Sequence, residues 1–404
     1  MYDIKAIDSF SNKQLAKLKH AKAKVVETER PHGIMVRSSV VPDHLLTEDL
    51  LVISRSGVGV NTINVDASTE KGIAVLNTPG VNANAVKEAV LSSLFATVRP
   101  IGPASEMVQT LEGPDLLRQA EDKREDFVGR ELQGKVIGVV GLGSIGSQVA
   151  RSCYDLGMEV LGYARSDKDL DYVEQLDLEE LLRQSDFVVL TLPLTDETRD
   201  ILSKEQLLLM KQGAYLLNFG RGPLVNNEDL IEVLNTDQIA GYITDFPEEV
   251  LLGHEKITLL PHIGGNTQEA LEGGERLARK SLSDFLLFGT VRDSVNFPGA
   301  RQLFHSPYRV TVFYEETMDT LPEIIQMFNH FDLRMGDMTS NRKNGYVYVL
   351  IDLEEGLDKI EGAVKEIQQI STVKRVRILK RPHYKRSRGR RNKKAKVVPK
   401  SNEQ

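Results

Sequence analysis

The sequence predicts an α/β protein: two doubly wound parallel-sheet units, one inserted into the other, and then a small βαββαβ unit. Three observations carry this. A Val- and Ile-rich run, KVIGVVGLGSIG at 135–146, passes from strand-like residues through Gly141-x-Gly143-x-x-Gly146 into a helical stretch. Short β-like runs then alternate with helical stretches over 135–262, as in parallel strands joined by helical crossovers. Beyond 308 the order becomes strand, helix, strand, strand, helix, strand, that of a ferredoxin-like unit.

Composition narrows the class. A chain of 404 residues has room for two or three domains, and its 41% hydrophobic content suffices for sizeable cores. No apolar run approaches membrane-spanning length. The first residues, MYDIKAIDSF, mix charges with apolar residues and read as no signal peptide. A single cysteine, Cys153, excludes a disulfide framework and a cysteine-based metal cluster, so no metal is expected. These features point to a cytoplasmic protein that does not engage membranes. The net charge of −7 hides an asymmetry: 380–404 holds 11 Lys/Arg and one acid, whereas 1–379 holds 40 basic and 57 acidic side chains.

In order, β-like runs at 33–36, 51–54 and 73–77 alternate with polar, partly helical stretches, and ANAVKEAVLSSLFATV at 83–98 reads as a helix leading out of this unit. The Pro- and Gly-punctuated, charged stretch around 100–130 reads as connecting or interface structure. Strands are predicted at 136–140, 159–163, 187–190, 214–218, 241–244 and 257–260, with helices at 178–184 and 227–234. A long helix at 266–288, followed by 293–297, returns to complete the first unit. The last unit reads as strands at 308–315, 334–338, 345–353 and 373–379 with helices at 321–331 and 357–370. The expected division is 1–98 with 266–300, then 99–265, 307–380, and a basic tail at 381–404 too poor in apolar residues to fold alone.

The glycine motif carries the first chemical inference. Gly141 makes the tight turn, Gly143 lets backbone approach a pyrophosphate, and Gly146 packs helix on strand, with the phosphates over the helix N-terminus. This is a Rossmann-type dinucleotide site. Three residues downstream follow predicted strands, where ligands of such sheets gather. Arg221 has the fork that clamps a carboxylate. His262, before a Gly-Gly pair, suits a general acid/base. Glu249 suits a partner that raises the histidine pKa, with Glu248 as the other candidate in DFPEEV. At 18 residues past Gly146, where an NAD site normally has an acid for the ribose hydroxyls, stand Ala164 and then Arg165. NAD is the expected cofactor, with NADP the alternative that Ala164 and Arg165 open; against it, Asp167 and Asp169 would repel a 2′-phosphate.

The stretches SRSGVGVNTINVDASTEKGIAVLNTPGVNANAVKEAV, ELQGKVIGVVGLGSIGSQVA, DFVVLTLPLTDETRDIL, MKQGAYLLNFGRGPLVNNEDL and LLPHIGGNT together resemble the D-isomer-specific 2-hydroxyacid dehydrogenases, in particular members acting on D-3-phosphoglycerate. The resemblance implies a catalytic trio of Arg221, Glu249 and His262. It implies a cofactor lined by Gly141, Gly143, Ser144, Ile145, Gly146, Ala164, Arg165, Leu192, Pro193, Phe219, Gly220, Asp245 and Gly264. It implies a phosphorylated hydroxy acid held by Arg37, Arg55 and the Ser56, Gly57, Val58, Gly59 loop, and reaction at the first step toward L-serine. Glyoxylate or hydroxypyruvate reduction is the alternative activity, and dinucleotide sensing by a corepressor-like protein the alternative of another class. The last unit resembles an ACT regulatory domain that binds L-serine between paired copies, although EETMDTLPEII keeps Pro322 and places Glu323 where the family has glycine. A homodimer or homotetramer is implied. The tail reads as a solvated extension rather than a nucleic-acid module.

Overall fold

The computed structural model describes residues 1–354 and 356–382; most of the basic tail lies outside them. Three sheets organise the chain. The first is parallel and formed by β1 (Tyr2–Ala6), β2 (Ala23–Val25), β3 (Gly33–Val36), β4 (Val52–Arg55) and β5 (Ala74–Leu76), in the order β2-β1-β3-β4-β5. The second, also parallel, contains β6 (Val136–Val140), β7 (Glu159–Tyr163), β8 (Glu174–Gln175), β9 (Phe187–Leu190), β10 (Ala214–Asn218), β11 (Ile239–Thr244) and β12 (Ile257–Leu259), in the order β12-β11-β10-β9-β6-β7-β8. The third is antiparallel and contains β13 (Tyr308–Glu315), β14 (Met335–Lys343), β15 (Tyr346–Leu353) and β16 (Val373–Lys380), in the order β14-β15-β13-β16. No helix among the described residues is long and apolar enough to cross a membrane.

Both parallel sheets have a topological switch point, where successive connections leave in opposite directions and the strand ends part to form a crevice. In the second sheet it falls between β6 and β9. In the first it falls between β1 and β3. The central strands β3 (GIMV) and β9 (FVVL) are buried along their whole length, as expected for strands covered on both faces. Helix Gln268–Phe288 returns to pack on β4, and Val295 N–H donates to the Val75 carbonyl at 3.0 Å beside a Leu76–Ser294 antiparallel bridge. The second unit is thus inserted into the first.

Three expectations need correction. β1 and β2 escaped the sequence reading because YDIKA and AKV break their apolar runs with charges. The 100–130 stretch is more regular than a connection: it forms helices Ile101–Gln109 and Leu116–Asp122, with no buried side chain in either. The second strand of the last unit, expected at 334–338, runs on to Lys343, because its pairing with β15 supplies partners that its polar sequence does not advertise.

The third sheet does not stand apart. One face carries helices Thr320–His330 and Leu357–Ile367 over a core of Val310, Val312, Phe328, Val349 and Ile360. The other face sends Phe313, Tyr348 and Leu350 into the same core as Phe285, Leu286 and Phe297. The Phe297 and Phe313 rings stack at 3.7 Å between centroids. Arg377 donates to the carbonyls of Phe285 at 3.2 Å and Leu286 at 3.0 Å, and Tyr348 to that of Gly289 at 2.9 Å, so side chains of the third unit serve the open carbonyl end of the long helix. Beneath them Arg309 and Asp352, both 0% exposed, pair at 2.5 and 3.1 Å, while the remaining Arg309 donors reach the carbonyls of Phe288, Gln302 and Leu303.

Removing one partner of such a pair strands a buried charge. Asp352→Ala is expected to destabilise this region by about 3–5 kcal/mol, read as a lowered urea midpoint in far-ultraviolet circular dichroism. The Arg309→Met/Asp352→Leu double variant should recover most of the loss.

Candidate active site

The first half of the site lies at the β6/β9 switch point. Gly141 leaves β6 at φ +106°, a conformation other residues rarely adopt, and its surroundings include the Leu192 backbone after β9. Gly143 has nothing within 4 Å of where a Cβ would stand. Gly146 is the opposite case: a Cβ there would lie 1.9 Å from the Gly141 carbonyl oxygen and 2.7 Å from Thr191 Oγ1. Gly143 and Ser144 are exposed, and Ile145 half-buried, at the start of helix Gly146–Asp155. The turn is therefore tight inside and open outside, which fits the backbone approach of a pyrophosphate.

The rim of this crevice comes from the ends of β7 and β9. Ala164 is half-buried, and Arg165 forms an exposed ion pair with Glu197. Thr198 folds the loop that carries Glu197, accepting from Thr195 N–H at 2.8 Å and donating to the Pro193 carbonyl at 2.8 Å. Phe219 and Gly220 are buried after β10, and a Cβ on Gly220 would meet the Leu192 carbonyl at 2.8 Å.

Arg221 is carried by the next turn of chain. The Asn218 amide is buried; its oxygen accepts from Gly220 N–H at 3.1 Å and its nitrogen donates to the Arg221 carbonyl at 2.9 Å. The guanidinium donates to the Gly220 carbonyl at 2.6 Å, and burial lowers its pKa. Asp245, buried after β11, accepts from the N–H groups of Ile263 and Gly264, each at 2.6 Å. That clamp holds the segment just past His262, whose φ of +56° is unusual for a non-glycine residue. The exposed His262 ring packs on Phe246 at 5.0 Å.

Spacing favours Glu249 as the third member, but the geometry separates the two acids. Glu248 Oε1 lies 3.1 Å from where a Cβ on Gly222 would be, directly beside the Arg221 turn. Glu249 opens a short 3₁₀ turn, Glu249–Leu251. Among the described residues His262 makes no hydrogen bond to either.

The other half of the site comes from the first sheet. Arg37 and Arg55 stand at the carboxyl ends of β3 and β4, and Ser56, Gly57, Val58 and Gly59 follow Arg55. Arg55 Nε donates to the Arg37 carbonyl at 2.8 Å. Its Nη1 lies 3.2 Å, and Arg221 Nη2 3.7 Å, from where a Gly59 Cβ would stand. Two guanidinium groups from different units thus converge on one glycine. Burial first, and the Arg221 charge second, lower the Arg55 pKa. A cavity of about 90 Å³ lined by Ser56, Thr78, Asn82 and Gly265 continues from this loop.

Residues 91–264 match the family model described as D-isomer specific 2-hydroxyacid dehydrogenase, NAD binding domain. A glyoxylate reductase of Thermococcus litoralis is 33% identical over 305 residues, covering 70% of this chain and 89% of that protein. The chain belongs to the D-isomer-specific 2-hydroxyacid dehydrogenases. A D-3-phosphoglycerate dehydrogenase of Methanocaldococcus jannaschii is 33% identical over 301 residues, covering 71% of this chain; the chain spans 54% of that relative's length. Among solved structures, the TT0316 protein of Thermus thermophilus aligns with a TM-score of 0.61 at 30% identity, over 72% of this chain and 99% of that one.

The second sheet lies within the stretch that matches the family's NAD-binding domain. Two polar residues beside the site had no sequence signal. Glu197 reaches Arg165 across 32 residues, and Asp8 is bound to a loop 29 residues away. The glycines supply a direct test. Gly146→Ala should lower the melting temperature and abolish NADH binding. Gly143→Ala should keep the melting temperature while weakening NADH binding about tenfold, since its methyl projects into the space left for phosphate. Fluorescence titration with NADH beside thermal melts distinguishes the two.

Proposed function

We propose that this chain transfers hydride between C2 of D-3-phosphoglycerate and a nicotinamide dinucleotide, forming 3-phosphohydroxypyruvate at the entry to L-serine synthesis. The convergence of Arg55 and Arg221 on Gly59 carries this reading. Two half-buried cations facing one space suit a small polyanionic acid, and Arg37 adds a third cation for the phosphate. The name of the Methanocaldococcus jannaschii relative supports the same substrate.

The Gly141–Gly146 turn, with Ser144, Ile145, Leu192, Pro193, Phe219, Gly220 and Gly264, would hold the dinucleotide, which would supply or accept the hydride. In the direction of reduction, C2 gains the hydride while the carbonyl oxygen takes a proton from His262, leaving a hydroxyl and an oxidised dinucleotide. Arg221 holds the carboxylate and draws charge onto that oxygen. Of the two acids, we assign Glu248 rather than Glu249 to the trio, because it lies beside the Arg221 turn. Asp245 fixes the backbone that carries His262. NADH is preferred over NADPH because Glu197 occupies Arg165 and would face a 2′-phosphate. Closure about helices Ala83–Val98 and Gln268–Phe288 brings the two halves onto the substrate. Exposed Ile101, Leu117 and Val128 form the face offered to a second copy of the chain.

Reduction of glyoxylate or unphosphorylated hydroxypyruvate is the second reading, favoured by the fuller coverage of the Thermococcus litoralis glyoxylate reductase. Initial rates with NADH and NADPH, against 3-phosphohydroxypyruvate, hydroxypyruvate and glyoxylate, decide between them. The first reading expects preference for the phosphorylated acid with NADH. Arg221→Ala should lower kcat/KM by about 10²–10³-fold, and an Arg221→Ala rate near wild type would overturn the assignment. Glu248→Gln should lower kcat at neutral pH, and Glu249→Gln should leave it nearly unchanged.

A further inference from the structure

The first sheet has its own switch-point crevice, between β1 and β3, and it is already filled. Asp8 follows β1, and its Oδ2 accepts from three consecutive backbone N–H groups after β3: Arg37 at 2.5 Å, Ser38 at 3.1 Å and Ser39 at 3.4 Å. Its Oδ1 accepts from Ser39 Oγ at 2.7 Å. Successive N–H groups pointing at one place form a concave anion site, and here the anion is a side chain of the same protein. Burial alone would raise the Asp8 carboxyl pKa, but the Arg37 backbone bond, the Ser39 hydroxyl and the other backbone donors outweigh it and hold the group below its ordinary value.

The bound peptide is the one that holds Arg55. Arg37 N–H binds Asp8, and the Arg37 carbonyl accepts from Arg55 Nε. With Nε tied back, the Arg55 terminal nitrogens are directed toward Gly59 and Arg221. Asp8 also acts through charge: it raises the Arg55 pKa, opposing the effects of burial and Arg221.

We propose that Asp8 is a positioning residue for substrate binding, fixing the 37–39 loop so that Arg55 presents its fork to the substrate opposite Arg221. It touches no substrate itself. Without its carboxylate, the three N–H groups turn to water, the Arg37 carbonyl loses its fixed place, and Arg55 swings away from a neighbouring like charge. The loss is one of grip on the acid, equal before and during the reaction, and leaves dinucleotide binding and the hydride step intact.

This rests on the reading of Arg55 as a substrate ligand, and the test separates the two. Asp8→Asn, Asp8→Ala, Arg55→Ala and the Asp8→Ala/Arg55→Ala double variant are assayed with NADH and 3-phosphohydroxypyruvate or hydroxypyruvate, beside NADH titrations and thermal melts. Asp8→Asn keeps the side-chain shape and guards against a folding failure in Asp8→Ala. The expected result is a KM for the oxo-acid raised about tenfold in both Asp8 variants, with kcat within about twofold and NADH affinity unchanged, the signature of binding lost equally from ground and transition states. In the double variant KM should rise no further than in Arg55→Ala alone, because the two residues act in series. An unchanged oxo-acid KM in Asp8→Asn, a fall in kcat or NADH affinity instead, or full additivity with Arg55→Ala overturns the proposal. An unchanged KM in Arg55→Ala overturns the reading of the substrate site beneath it.

Discussion

Two like charges meet at Gly59, and the rest of the site is arranged around keeping them there. Arg55 and Arg221 are both partly removed from water, and a guanidinium does not escape repulsion by giving up its proton. Each is instead held by a backbone carbonyl in its own unit, Arg37 for one and Gly220 for the other. An anion placed between them converts mutual repulsion into two attractions, and those attractions act across the boundary between units.

Much of the framework was legible in the sequence. The glycine turn, the alternating strands of the second sheet and the βαββαβ order of the third unit follow from local pattern; Gly141 turns at positive φ and Gly146 has no room for a side chain. What escaped is non-local. β1 and β2 read as polar because their burial comes from neighbours rather than from their own alternation. Asp8 has no motif around it; its donors lie 29 to 31 residues away and meet it only because β1 and β3 are adjacent in the sheet. The family pattern leaves Glu248 and Glu249 both open in DFPEEV, and only the folded turn after β11 shows that Glu248 lies beside the Arg221 turn.

The two parallel sheets share a design with different fillings. Each opens at the point where its connections reverse, and each offers backbone N–H groups there. The β6/β9 crevice leaves Gly143 uncovered, and the β1/β3 crevice is closed by Asp8. One is open to a ligand, whereas the other has become part of the scaffold that aims Arg55.

The third unit reaches the same scaffold from behind. Its open sheet face shares a core with Phe285, Leu286 and Phe297, and Arg375 donates to the carbonyls of Glu48, Leu50 and Lys71, on either side of β4. The strand that ends in Arg55 is therefore flanked by segments tied to the last unit. For anyone cutting this chain down to a minimal catalyst, residue 300 is a false boundary. A shortened protein would show water an aromatic surface built to be covered, and would lose the brace at the amino end of the strand that carries Arg55.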